Sequence, residues 1–136
     1  MTIATETIMD SSWKTIIKAT FTSTHAAEKI VDASGLVGWV SAALSKVNLA
    51  ACQWSASTPI QLIWTGSTTA VTALHLNGNG IYGGSNGMPA VPNNATGGAD
   101  LGDLVLTSAA ASVGSVIVVC HKVTTAGGKG WTATVE

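Results

Sequence analysis

Apolar and polar residues alternate along most of this chain with a period of two, and the 3.6-residue rhythm of amphipathic helices is almost absent. Trp13, Thr15, Ile17, Ala19 and Phe21 alternate with Lys14, Ile16, Lys18 and Thr20, as in a strand with one buried face. Further strands are expected over 28–32, 46–54, 60–64, 70–76, 103–107, 115–124 and 131–135, rich in the Val, Ile and Thr that suit a pleated surface. Ser-Ala-Ser-Thr-Pro59 reads as a turn, and 39–46 is the one segment open to a helix. Residues 77–100 collect Asn-Gly, Gly-Gly and Asn-Asn pairs with two prolines, which predicts a long glycine-rich loop. The expectation is a single all-β domain over 1–136. Its form would be an antiparallel β-sandwich or jelly-roll-like barrel of about eight strands.

Composition narrows the role. Only 10% of the 136 residues are charged, against about 25% in ordinary soluble domains, and 46% are hydrophobic. So little charge suggests a surface that is partly buried against copies of itself or another protein. Arginine is absent, and Lys14, Lys18, Lys29, Lys46, Lys122 and Lys129 are scattered singly, so no nucleic-acid contact is expected. The longest apolar run, Val116-Ile-Val-Val-Cys120, is far shorter than the roughly 20 residues of a spanning helix, and no membrane partner is expected. The first residues lack the basic segment and apolar core of a secretory signal. Cys52 and Cys120 sit in apolar runs and read as buried free thiols.

Two enzyme-like patterns overlap in HLNGNGIYGGSNGMP, residues 75–89. Gly78, Gly80 and Gly83 fit a dinucleotide fingerprint, but that motif needs a helix whose N-terminus meets the pyrophosphate, and Met88-Pro-Ala-Val-Pro92 does not open one. Gly83-x-Ser85-x-Gly87 fits a hydrolase nucleophile elbow, with Asp100 or Asp103 and His121 following in order. That elbow belongs to a large α/β scaffold, which this pattern of short strands does not form. His25, His75 and His121 lie far apart without neighbours at metal-ligand spacing. Neither a catalytic, a cofactor-binding nor a metal site is therefore expected, and no cofactor. Trp13, Trp54 and Trp64 fall at alternating strand positions, which favours core packing over sugar stacking.

The layout resembles a family of small virion structural proteins encoded by tailed phages, especially those infecting cyanobacteria. Thr7-Ile-Met-Asp10, Trp13-Lys-Thr-Ile-Ile-Lys18, Glu28 to Ser34, Gln53-Trp54, Pro59 to Trp64 and Leu76 to Gly80 carry the resemblance in that order. Gly102 to Thr107 and Gly114 to Lys122 complete it, so that it spans residues 7–123. The chain departs from the family pattern at 35–45 and 125–136.

The resemblance implies a non-enzymatic subunit present in many copies on a phage particle. The expected role is a capsid decoration, or cement, protein that binds over the head shell and stabilises it. Its partners would be copies of itself, as a trimer, and the major capsid protein or another virion protein. A neck, tail or fibre component of the same virion is the alternative, and a carbohydrate-binding module a more distant one. Residues 1–10 are expected either as an arm reaching a neighbour or as the first strand of the chain's own sheet. The interface would then draw on Ile3, Ile8 and Met9 near the N-terminus, Trp39, and Tyr82 and Met88 in the glycine-rich region.

Overall fold

The computed structural model describes residues 3–11, 13–23, 28–32, 35–36, 46–65, 70–83, 88–93 and 103–123. These form seven strands: β1 (Ile3–Asp10), β2 (Lys14–Phe21), β3 (Glu28–Val31), β4 (Lys46–Trp64), β5 (Val71–Gly83), β6 (Leu104–Thr107) and β7 (Gly114–Val123). No α-helix occurs among the described residues. All pairings are antiparallel, in the order β1-β2-β7-β4-β6-β3, with β5 on the other side of β4. The protein is a single antiparallel sheet that curls into a nearly closed, barrel-like shape. The segment expected as an eighth strand, 131–135, lies outside the described residues, as do Trp39 and most of 39–46.

β4 is the spine of this arrangement. Its first part, Lys46 to Ala56, pairs with β7, and its last part, Gln61 to Trp64, pairs with β6. The exchange of partners happens at Ser57-Thr-Pro59, where the sequence suggested a turn. The strand instead continues through a bulge, because the 108–113 connection supplies what the ladder lacks there. Ser57 N–H donates to the Val113 carbonyl (3.0 Å), and Thr58 Oγ1 donates to the Ala111 carbonyl (3.0 Å). Ser112 Oγ donates to the Thr58 carbonyl (3.1 Å). Pro59 follows as a residue with no N–H to satisfy. Bulges of this kind bend a strand so that it serves two parts of a curled sheet.

The inward face follows the period-two pattern. Thr15, Ile17, Ala19 and Phe21 from β2 meet Val116, Val118 and Cys120 from β7, and Cys52, Ile60, Leu62 and Trp64 from β4. Leu76, Leu104, Leu106, Ile30 and Val31 close the core from β5, β6 and β3. Trp64 is fully buried, whereas Trp13, expected on the same face, is 53% exposed. The cause is local: Ser11 N–H donates to the Lys14 carbonyl (2.8 Å), and Ser11 Oγ accepts from Lys14 N–H (3.3 Å). Ser11 and Lys14 therefore close the connection between β1 and β2, and Trp13 stands exposed beside Lys14.

Residues 3–10 form β1, paired with β2 from Ile3↔Phe21 to Asp10↔Thr15. Lys122 fastens its end. The Lys122 Nζ donates to Asp10 Oδ1 (2.6 Å) and to the Ser11 carbonyl, with the Lys122 side chain only 1% exposed.

Candidate functional site

The glycine-rich stretch is less of a loop than its composition suggests. Asn77 to Gly83 continue β5, and the dinucleotide-like glycines therefore lie within a strand rather than between a strand and a helix. Gly80 sits opposite Trp54, whose ring occupies the space a side chain would need: a Cβ at 80 would lie 2.4 Å from Trp54 Cζ2. The indole Nε1 donates to the Asn77 carbonyl (3.2 Å). After Gly83 the chain returns beside β4, where Leu49 and Val91 exchange backbone hydrogen bonds of 2.9 and 2.8 Å. Tyr82 Oη donates to the Pro89 carbonyl (2.8 Å) and clips 88–91 to β5.

Of the residues in the hydrolase-like order, Ser85 and Asp100 lie outside the described residues. The other two do not converge: Asp103 is buried and pairs with Lys29 at 3.1 Å, while His121 is exposed beside Trp13, ring centroids 5.2 Å apart. Nor do the three indoles share a face. Trp64 is in the core, Trp54 is half-buried across Gly80, and Trp13 is on the turn with the Lys14 ammonium 4.7 Å from its ring centre. No group of three metal-ligating side chains occurs among the described residues.

The outward face of the sheet is where unusual chemistry concentrates. Register through five strands places residues in rows. One row is Met9, Ile16, Val119, Ala51 and Gly83, apolar from end to end. The next is Glu6, Lys18, Ile117, Gln53 and Ile81, and beyond it lies the polar row Ala4, Thr20, Ser115, Ser55 and Asn79. On the other side of the apolar row stand Lys14, His121 and Asn48. Because Ala50, Ala51, Gly83 and Ala90 are small, the middle of this face is low. Two adjoining grooves of about 310 and 260 Å³ run along it, sharing Ala51 and Val119 as floor. Met88 and Ile81 flank them, 49% and 62% exposed.

The interface residues anticipated from sequence divide between two environments. Met9 and Met88 stand on this outward face, and Ile8, the extra residue of a bulge in β1, is 53% exposed. Ile3 and Tyr82 pack against the core instead. Ile16, Ile81, Ile117 and Val119 were not anticipated, although the run Val116-Ile-Val-Val-Cys120 is apolar at successive positions and so places apolar side chains on both strand faces. Buried Cys52 and Cys120 are free thiols; burial pushes the Cys52 pKa up to about 12 and Cys120 higher still, so neither is nucleophilic at neutral pH. No protein-family model, curated protein or solved structure matches this chain.

Proposed function

We propose that this protein is a structural subunit of a tailed-phage virion, a decoration protein that works by packing its outward sheet face against neighbouring subunits. The phage setting rests on the sequence resemblance over residues 7–123. The packing role is supported by one observation above the others: an uninterrupted apolar row crossing five strands on the outer face. A solvated face of an antiparallel sheet is ordinarily polar, whereas this row is apolar and half-buried at its middle, with exposed Met9 at one end and exposed Ile81 and Met88 beside it, which favours an interaction site.

Ile81→Lys with Val119→Lys tests this. Both side chains point outward, so the variant keeps its β circular dichroism while its occupancy on particles lacking their own copy falls at least tenfold. Unchanged occupancy would refute the reading. Mass-spectrometric copy number from purified particles then separates shell from neck or tail: on the order of hundreds of copies means shell, about six or twelve a cyclic neck or tail ring.

A further inference from the structure

The corner where Trp13, Lys14 and His121 meet differs in charge from the rest of the surface. Among the described residues Lys18 pairs with Glu6, Lys29 with Asp103 and Lys122 with Asp10. Lys14 pairs with no acid among them. Its ammonium lies 4.7 Å from the centre of the Trp13 ring, and the His121 ring stands beside the same indole, centroids 5.2 Å apart. Trp13 is 53% exposed, yet its backbone is fixed: its carbonyl accepts from Lys122 N–H (2.8 Å), and Lys122 is itself held by Asp10. An indole that is exposed but already ordered loses little freedom when a partner covers it, and Trp is among the residues that dominate such contacts.

Lys14 and His121 also form one end of the groove over Ala50, Ala51, Ala90 and Val119, and no carboxylate among the described residues lines it. The chemistry that fits is one acid beside an aliphatic side chain. Nucleic acid would need several uncompensated cations together, whereas Lys18, Lys29 and Lys122 are already neutralised by acids. We propose that this corner receives an extended segment of a neighbouring protein, with an aliphatic residue over Ala51 and Val119 and a carboxylate between Lys14 and His121. This rests on the packing reading above and gives its partner a chemistry. Contact with Trp13 supplies most of the affinity, and the carboxylate fixes the direction in which the segment runs.

NMR of the isotope-labelled, isolated protein tests this by titration with three probes. These are the peptide acetyl-Ser-Leu-Glu-Leu-Ser-amide, the same peptide with Gln for Glu, and inorganic phosphate. The Glu peptide is expected to bind with a dissociation constant of about 1 mM and to move the Trp13 indole, Ala51 and Val119 signals. The Gln peptide binds about two- to fivefold more weakly, the range of one ion pair near a surface. Lys14→Gln removes most of that difference with an unchanged β spectrum, and Trp13→Ser weakens both peptides at least about fivefold. Failure of the Glu peptide to bind, equal binding of the two peptides, or a difference that survives Lys14→Gln overturns the proposal. So does binding indifferent to Trp13→Ser, or phosphate moving the same signals as strongly, which would mark an anion site only. The packing reading is judged separately, on the particle occupancy of the Ile81→Lys, Val119→Lys variant, and stands or falls whatever the peptides do.

Discussion

Replacing Asp10 by Asn removes a charge from the most enclosed ion pair among the described residues, and its cost follows from the geometry. The Lys122 side chain is 1% exposed and its ammonium lies 2.6 Å from Asp10 Oδ1, whose own side chain is 15% exposed. At that distance, with an effective dielectric of about 20, the pair attracts by about 6 kcal/mol before desolvation is subtracted. Removing the acid leaves an ammonium that burial keeps from water, a change that costs about 3–5 kcal/mol in enclosed pairs. Asn still accepts a hydrogen bond, and Asp10 is not wholly enclosed, so about 3 kcal/mol is expected. With a urea slope of about 1.5–2 kcal/mol/M for a chain this size, the midpoint falls by about 1.5–2 M. Glu6→Gln is the control: Glu6 and Lys18 stand 3.8 Å apart with side chains 70% and 42% exposed, so its loss costs under about 0.5 kcal/mol. Asp10→Asn combined with Lys122→Met leaves no charge unpaired, and the double variant is more stable than Asp10→Asn alone. An Asp10→Asn midpoint indistinguishable from that of Glu6→Gln would refute the reasoning, because Lys122 would then have found water.

Two glycines with positive φ separate backbone strain from crowding. Gly78 (φ 65°) has open space around a built Cβ, whereas a Cβ on Gly83 (φ 79°) would lie 2.1 Å from the Ala50 carbonyl oxygen. Gly78→Ala is therefore expected to cost about 1 kcal/mol and Gly83→Ala at least about 2 kcal/mol more, read by urea denaturation; equal costs would contradict the assigned packing. The thiols give a pH prediction. The Cys52 pKa is raised from 9.0 to about 12 by burial, and that of Cys120 is raised further. Their contribution to stability is thus complete below pH 9 and is lost as pH rises towards 12 and beyond, because the unfolded chain ionises first. Iodoacetamide at pH 8 should label neither thiol until urea unfolds the protein, and rapid labelling of the folded chain would contradict their burial.

The class of fold was legible because period-two alternation is a local signal. β2 and β7 declare their inward residues directly, and Ile17, Ala19, Phe21, Val116 and Val118 are all in the core. The errors arose where identical local chemistry serves two geometries. Ser-Ala-Ser-Thr-Pro59 has the composition of a hairpin turn, yet it is the corner at which β4 passes from β7 to β6, and only the 108–113 segment decides between the two. Asn77-Gly-Asn-Gly80 is likewise a turn signal, but Gly80 is needed in a strand, because the Trp54 ring from a residue 26 positions away fills the place of its side chain. Long-range packing overrides propensity at both sites.

The outward face illustrates a different limit. Met9 and Met88 can be picked out as large apolar residues near the N-terminus and in the glycine-rich region, but that they and Ile16, Val119 and Ala51 form one surface depends on the register of β1, β2, β7 and β4 and on the clip between Tyr82 and Pro89. Register is a relation between strands and has no signature in any one of them. What each central strand does reveal is whether its second face is polar. Ile16 lies between Thr15 and Ile17, and Ile117 and Val119 flank Val118, so β2 and β7 present apolar side chains on both faces. The inner face is accounted for by the core. The outer one, bounded by Lys14 and His121 on one side and by the Glu6–Lys18 pair on the other, is patterned like an interface, apolar in the middle and charged at the rim. That pattern, more than the number of exposed apolar residues, is what supports the proposed packing against other subunits.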